Sequence, residues 1–323
     1  MPAALLQRPL FLTASFCVPA DAIFKAIRTE KIKIYYLQEF IVPPGWLTTY
    51  RYRFCIFVYM QLFIASLNSG SNGNCYYVGN EREAVLIDAG ISCRETEKRI
   101  ARLGLSMQRV KAIFVSHEHS DHTNGIPVLA KKYNLPVYIT QGTLSNSRIK
   151  YDVLQFAGFC AYQPVQIGAL QITGFPKFHD AADAHSFIVR CGDYTAGVFT
   201  DIGAPCEHVT AHFSLCHAAI LEANYCDEML EKGRYPYHLK QRIKSDKGHL
   251  SNLQALQLFK EHKPPFMNQL LLGHLSKDNN SPALVKKLFA EHAGDTEIII
   301  ASRFAESKLY CVSRRQPVQM SLW

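Results

Sequence analysis

The sequence predicts an α/β protein in which two β-sheets are enclosed by helices. Short strand-like runs come early, helical stretches then alternate with apolar strands, and strands return in the middle and near the end of the chain. The composition agrees with a folded globular protein, since 48% of the 323 residues are apolar and 19% are charged. A disordered, collagen-like or coiled-coil chain is thereby excluded.

The first 59 residues depart from this pattern. They are interrupted by prolines at Pro9, Pro19, Pro43 and Pro44, and they show no sustained helix or strand period. Seven Lys and Arg against three Asp and Glu give this stretch +4 of the chain's +8. We expect residues 1–59 to lie outside the domain, as a poorly ordered extension or a wrongly assigned start, and residues 60–323 to form the domain.

The apolar run from Phe54 to Leu67 has two interpretations. Its 14 residues fall short of the roughly 20 that a membrane helix needs, and they include Gln61, so no membrane span is predicted. With Arg51 and Arg53 ahead of it, the run imitates a secretory signal placed away from the start of the chain. The favoured interpretation is that Met60 begins the domain, with a strand that runs into the turn NSGSNGN.

From Met60 onward, strands and helices are predicted in a regular order. The first three strands are separated by the turn-forming segments NSGSNGN and GNERE, which predicts an antiparallel meander. Strands are predicted at Gln61–Leu67, Cys75–Val78, Ala84–Ile87, Ala112–Val115, Val137–Thr140, Val165–Phe175, Ser186–Cys191, Tyr194–Thr200, Ala218–Glu222, Gln269–Leu272 and Glu297–Ala301. Helices are predicted at Arg94–Leu103, Ile126–Tyr133, Leu253–His262 and Pro282–His292.

The chemistry is concentrated in SHEHSDH, residues 116–122, which follows the apolar strand AIFV. On an extended segment His117 and His119 point to the same side and can bind one ion. Asp121 and His122 follow where the chain turns toward the next helix, and they can reach a second ion. Such nitrogen and oxygen donors suit zinc, or manganese and iron where carboxylates predominate. The alternative is a solvated polar loop.

Further candidate ligands stand directly after apolar runs elsewhere in the chain. They are Asp88, His179, Asp201 and His274. Taken singly, the aspartates could be turn formers and the histidines could be hydrogen-bonded, partly buried imidazoles. Taken together with SHEHSDH, they favour a site for two metal ions.

Charge and cysteine content add weaker indications. The net charge of +8 makes polyanions plausible partners. Ten cysteines are scattered without a C-x-x-C pair or a dense cluster, which favours a reducing, cytoplasmic setting over a disulfide scaffold.

The order of these residues resembles the motifs of the metallo-β-lactamase fold hydrolases. Asp88, H-x-H-x-D-H at residues 117–122, His179, Asp201 and His274 follow that superfamily's five motifs in order and approximate spacing. The segments SLNSGSNGN, LIDAG, HDAAD, LEANYCDEML, YPYHLKQRIKSDKGHLSN and GHLSKDNN resemble, more narrowly, the YycJ/WalJ-type group, a bacterial branch regarded as exonucleases. The resemblance extends from Met60 to about the C-terminus.

The resemblance implies a four-layer αβ/βα sandwich that holds two divalent metal ions, Zn²⁺ or Mn²⁺, at one edge between the sheets. One ion would be held by three imidazoles: His117, His119 and His179. The other would be held by Asp121, His122 and His274. Asp201 would bridge the two ions, and Asp88 would accept hydrogen bonds that orient the histidine loop. A hydroxide shared by the ions would attack phosphorus, with Asp121 orienting the water or taking its proton.

Two residues outside this ligand set are expected to assist. His249, in GHLSN, resembles the glycine-histidine motif with which related nucleases contact the scissile phosphate, and it would donate a hydrogen bond or a proton. The alternative is an imidazole that caps the helix starting near Ser251. Glu222, in LEANY, is expected to support the site from behind the ligands rather than to act in catalysis.

A local basic segment precedes His249. Lys240, Arg242, Lys244 and Lys247 are offset only by Asp246. We assign Lys240 and Arg242 to nucleic-acid binding, because such a segment attracts a phosphate backbone without reading its sequence. A solvated helix face is the alternative.

Three functions compete at this point. The favoured one is a dinuclear metal-dependent nuclease, a DNA exonuclease. The second is a small-molecule hydrolase on the same fold, such as a thioesterase, lactonase or β-lactamase. The third is a nucleic-acid-binding protein without catalysis, which the filled ligand positions disfavour. The basic segment beside His249 favours the first function over the second.

Overall fold

The computed structural model describes residues 61–149 and 155–312, together with the backbone of two short strands before them. The chain divides into two compact units, Met1–Tyr59 and Met60–Trp323. In the first unit, β1 (Ile32–Tyr35) pairs antiparallel with β2 (Cys55–Val58). This pairing is compatible with the lack of a sustained period in the sequence, because four residues suffice for a short pair of strands. That residues 1–59 lie outside the domain stays a prediction.

The first sheet of the second unit has the strand order β16-β3-β4-β5-β6-β7-β8. Its strands are β3 (Leu62–Asn68), β4 (Cys75–Gly79), β5 (Ala84–Ile87), β6 (Val110–Phe114), β7 (Val137–Tyr138), β8 (Phe156–Ala157) and β16 (Tyr310–Val312). Strands β3 to β5 form the predicted antiparallel meander, and β5 to β8 run parallel.

The second sheet has the order β15-β14-β13-β12-β11-β10-β9. Its strands are β9 (Val165–Ile167), β10 (Leu170–Pro176), β11 (His185–Cys191), β12 (Tyr194–Phe199), β13 (Ala218–Glu222), β14 (Gln269–Gly273) and β15 (Glu297–Ile300). The strands from β9 to β12 are antiparallel, and those from β12 to β15 are parallel.

The helices cover the outer faces of the two sheets. They are α1 (Cys93–Arg102), α2 (Ser120–Thr123), α3 (Ile126–Tyr133), α4 (Gln141–Asn146), α5 (Glu207–Phe213), α6 (Asp227–Lys232), α7 (Tyr237–Lys244), α8 (Asn252–His262) and α9 (Pro282–Ala290). The sequence analysis missed α2 and α4 to α7, which are short. Helix α7 has eight residues and buries none of them, so it is shorter than the roughly 11 to 18 residues over which an apolar period is recognised. Among the described residues, no helix combines the length and apolarity needed to cross a membrane.

Side-chain alternation along the strands builds a core on each face of each sheet. Tyr76 and Tyr77 are neighbours on β4, and both are fully buried. Tyr76 packs with Phe187 in the cluster between the sheets, whereas Tyr77 packs with Leu129 under the helices. A third cluster, which includes Phe259, lies between the second sheet and its helices. Helix, sheet, sheet and helix therefore form the predicted four layers, and the α/β sandwich is confirmed.

The parallel strands place the candidate ligands at one edge. The carboxyl ends of parallel strands meet at the same edge of a sheet, where α/β proteins bind their ligands. Asp88 follows β5, Asp201 follows β12 and His274 follows β14, while Glu222 is the last residue of β13. The histidine loop begins shortly after β6.

Candidate metal centre

Three imidazoles converge in front of the first sheet. Nε2 of His117 lies 3.1 Å from Nδ1 of His119, and one ligand atom from each of His117, His119 and His179 falls within 4.8 Å of the others. Two nitrogens bound to one tetrahedral ion at about 2.1 Å lie about 3.4 Å apart. The three rings are therefore placed as ligands of a single cation.

Burial keeps two of these imidazoles neutral. It lowers the pKa of His117 well below its usual value and lowers the pKa of His179 to about 2. Nδ1 of His179 donates to the carbonyl of Gly248 at 3.1 Å, which leaves a lone pair on Nε2. Oδ1 of Asp180 lies 3.3 Å from that buried Nε2, but no described atom meets it in hydrogen-bonding geometry. A neutral imidazole nitrogen in this position fits a metal ligand.

Asp88 ties the histidine loop to the end of β5. Its Oδ1 accepts from the backbone N–H of Ser116 at 2.8 Å, and its Oδ2 accepts from Ser116 Oγ at 2.7 Å. Nδ1 of His122 also lies 2.7 Å from Oδ2. This bond turns Nε2 of His122 away from β5 and toward Oδ2 of Asp201, 3.1 Å away.

Asp201 lies between two groups of possible ligands. Its Oδ2 faces His122, and its Oδ1 lies 2.9 Å from Nδ1 of His274 and 4.0 Å from Nε2 of His179. Although these atoms are close, Oδ2 of Asp201 and Nδ1 of His274 meet no described atom in hydrogen-bonding geometry. Buried donor and acceptor atoms that approach one another without bonding fit a cation between them.

In this cluster, the charge of each group shifts the pKa of its neighbours. Burial alone would raise the pKa of Asp201, but His274 and His122 hold it well below its usual value. Burial alone would lower the pKa of His122, but Asp201 and Asp88 hold it well above. A divalent cation bound here would replace the proton that these carboxylates favour on His122.

Three of the strand-end residues adopt a left-handed backbone conformation. The φ angles are 60° for Asp88, 55° for Asp201 and 53° for His274. Such values cost energy in residues other than glycine, and they concentrate at functional sites. Here they turn the chain sharply after β5, β12 and β14, directly at the cluster.

Glu222 holds His249 at the edge of the cluster. The fully buried carboxylate accepts from the backbone of Ile202 at 2.6 Å through Oε2, while Oε1 lies 2.7 Å from Nδ1 of His249. Burial alone would lower the pKa of His249, but Glu222 raises it to about 9. Glu222 thus favours the cationic form of His249, whose side chain is 24% exposed. Ligand atoms of Asp201, Glu222, His249 and His274 lie close enough to hold an ion.

Asn74 is a site residue that sequence reasoning missed. Its side-chain nitrogen donates to Oδ2 of Asp121 at 3.1 Å and lies 2.9 Å from Nε2 of His122. Its backbone N–H donates to the carbonyl of Asp121 at 2.7 Å. NSGSNGN was interpreted only as a turn, whereas its last residue fixes the position of Asp121.

Two further supports carried no usable signal in the sequence. Ser69 Oγ accepts from the backbone N–H of His274 at 2.8 Å. The buried Lys177 donates to the carbonyl of Thr200 at 2.6 Å, directly before Asp201. Both contacts join segments that are far apart in the chain.

Three members of the basic segment, Lys240, Arg242 and Lys244, lie on α7, and each contacts another group of the protein. Nε and Nη2 of Arg242 both contact Oδ2 of Asp180. Lys244 pairs with Oε2 of Glu231 at 2.8 Å, and Lys240 donates to the Glu231 carbonyl. The segment therefore presents less free positive charge than its composition suggests.

Fold and site together define a metallo-β-lactamase fold hydrolase. Residues 69–159 match the Metallo-beta-lactamase superfamily. The chain is 34% identical over 232 residues to the exodeoxyribonuclease YycJ of Bacillus anthracis, a match that covers 70% of this chain and 87% of the relative. It is 30% identical over 243 residues to the exodeoxyribonuclease WalJ of Streptococcus pneumoniae, covering 74% and 90%. The chain belongs to this superfamily, in its YycJ/WalJ-type group.

A solved structure supports the fold alone. The metallo-beta-lactamase fold protein YhfI from Bacillus subtilis superimposes with a TM-score of 0.60 at 18% identity, covering 78% of this chain and 99% of that one. The predicted family and fold are thereby confirmed, and the His/Asp cluster fits divalent metal ions.

Proposed function

We propose that this protein is a dinuclear metal-dependent phosphodiesterase that acts as a DNA exonuclease. The observation that carries the proposal is the convergence of buried imidazoles and carboxylates at the ends of β5, β6, β10, β12 and β14. Three of their atoms, Nε2 of His179, Oδ2 of Asp201 and Nδ1 of His274, meet no described atom in hydrogen-bonding geometry. The names of the relatives YycJ and WalJ add the substrate class. A cytoplasmic setting is part of the proposal, because it suits both DNA and the scattered cysteines.

The ligand assignment is also a proposal. One Zn²⁺ or Mn²⁺ ion would be held by His117, His119 and His179. The second would be held by Asp121, His122 and His274. The position of Asp201 between the two groups supports its role as the bridge. Two such ions would lower the pKa of a shared water and offset the negative charge that grows on the phosphoryl oxygens.

The protein's own side chains would complete the reaction. Asp121, held by Asn74 and 22% exposed, would orient the attacking water and accept its proton as the new oxygen–phosphorus bond forms. His249 would hydrogen-bond the scissile phosphate and give its proton to the leaving oxygen as the old bond breaks. Glu222 would keep His249 cationic and fix its orientation, while Asp88 would hold His122.

An activity comparison tests the proposal. Metal-reconstituted protein is incubated with end-labelled single- and double-stranded DNA and RNA, and in parallel with a thioester and a lactone. We expect DNA to be shortened from an end, because the relatives YycJ and WalJ are named exodeoxyribonucleases. Turnover of the thioester or lactone with intact DNA would instead assign a carbonyl substrate to the same site.

A further inference from the structure

A cleft of about 220 Å³ opens directly beside the metal centre, and two residues of the centre, His249 and His274, line it. Its lining combines two kinds of side chain. Tyr235 and Leu239 are partly buried and offer apolar surface, while Arg242 and Arg303 are cationic. Apolar and cationic side chains in one cleft suit a nucleotide, whose sugar and base are apolar on their faces and whose phosphate is anionic.

Two neutral hydrogen-bond acceptors fix the position of the Arg303 guanidinium. Its Nη2 donates to the carbonyl of Leu275 at 3.2 Å and to Ser71 Oγ at 3.3 Å. The turn at Gly70 passes tightly against it, because a Cβ on Gly70 would lie 2.8 Å from Nη2, and the φ of 147° suits glycine. Since Leu275 follows His274, the guanidinium is anchored one residue from a proposed metal ligand.

Within the described part of the chain, the charge of Arg303 is unpaired, unlike the charge of Arg242, the other arginine that lines the cleft. Arg242 also lines the cleft, but it is paired with Asp180. Among the described residues, no carboxylate lies within 4.0 Å of the Arg303 guanidinium. An arginine fixed by neutral partners keeps its charge and remaining N–H groups for a ligand.

We propose that Arg303 binds a second phosphate of the substrate, the one adjacent to the scissile phosphate, while Tyr235 and Leu239 pack against the nucleotide between them. The inference rests on the proposed function, because it takes the scissile phosphate to lie at the metal centre beside His249. It assigns to Arg303 a part in substrate selection that the basic segment of α7 was expected to play.

Three dinucleotides test the assignment. One has a single phosphodiester, and the others carry a second phosphate at the 5′ or the 3′ end. We expect the wild type to prefer one phosphorylated form by about ten- to a hundredfold in kcat/KM, the worth of a charged hydrogen-bonded contact. Arg303→Gln, which removes the charge but keeps an N–H donor, should lose this preference through KM, and Arg303→Lys should retain part of it. Bound metal should stay unchanged, and the plain dinucleotide should be affected least, because it lacks the second phosphate.

Arg82→Ala is the matched control, because Arg82 is an exposed arginine in the turn between β4 and β5 and should leave the preference intact. An unchanged preference in Arg303→Gln, or an equal loss on all three dinucleotides, would overturn the assignment. If the wild type hydrolyses none of them, calorimetry of the intact dinucleotides decides on Arg303, while the proposed function is decided separately by the assay on end-labelled DNA. If the wild type binds one phosphorylated dinucleotide more tightly and Arg303→Gln does not, the assignment of Arg303 stands. If the wild type binds all three dinucleotides equally, the assignment is overturned.

Discussion

At the scale of single residues, Asp88 shows how a carboxylate can organise the proposed centre from behind its ligands. It accepts from Ser116 twice and from His122 once, all at 2.7–2.8 Å. We expect Asp88→Asn to lower metal affinity about 10- to 100-fold, because the amide offers one acceptor atom where the carboxylate uses two. A metal titration of the purified variant measures this. Asp193→Asn, in the exposed turn between β11 and β12, serves as the control, and wild-type affinity in Asp88→Asn would contradict the role.

His249 and His274 each lie in a G-H-L-S sequence, but we expect them to have different roles. His274→Ala should lower metal content, because its Nδ1 lies 2.9 Å from Oδ1 of Asp201, the proposed bridge between the two ions. His249→Ala should keep its metal and lose turnover by roughly a hundredfold, because it removes the proton donor. Metal analysis and DNA hydrolysis separate the two outcomes.

The defect of His249→Ala should shrink on a phosphodiester whose leaving group needs no proton. His292→Ala, an exposed histidine after α9, should match the wild type in both measurements. Equal metal loss in the His249 and His274 variants would show that both are ligands and would end this division of roles.

At the scale of elements, α7 tests whether a run of basic residues in the sequence indicates a DNA-binding surface. Replacing Lys240 and Arg242 by Ala should weaken DNA binding equally for all sequences and flatten its dependence on salt, because phosphate contacts release counterions. Since both side chains have partners within the protein, we expect the slope of log Kd against log salt to fall by less than two. Replacing Lys286 and Lys287 on α9 is the control. A slope identical to that of the wild type would remove α7 from the DNA-binding surface.

Much of the fold was predictable because an apolar strand can be recognised from its own short stretch of sequence. The predicted strand at Ala84–Ile87 and the helix at Ile126–Tyr133 agree with the structure residue for residue. The candidate ligands could be found for the same reason, since each follows an apolar run. The short helices were missed because six to eight residues with little buried surface give no period.

Contacts between distant segments were beyond prediction. Asn74 meets Asp121 across 47 positions, Arg242 meets Asp180 across 62, and Arg303 meets Ser71 across 232. Each of these residues lies in a polar segment whose local pattern is that of a turn or a solvated helix. Only the folded chain brings them to the site.

At the scale of the whole molecule, the proposed activity resides in the unit Met60–Trp323. All the proposed ligands lie there, and the unit has its own three core clusters. Deletion of residues 1–59 should therefore leave a folded domain that binds metal, as circular dichroism and metal analysis would measure. Loss of metal binding on truncation at Met60 would show that the first unit contributes to the site.

The central claim, two metal ions that drive phosphodiester hydrolysis, is tested most directly by titrating the metal-free full chain with Mn²⁺ or Zn²⁺. Bound metal and hydrolysis of end-labelled DNA are followed in the same samples. We expect two equivalents to bind and hydrolysis to reach its full rate only as the second site fills. His119→Ala and Asp121→Ala should each bind fewer than two equivalents and hydrolyse nothing. Hydrolysis that is undiminished in the metal-free protein, or two full equivalents in either variant, would contradict the claim.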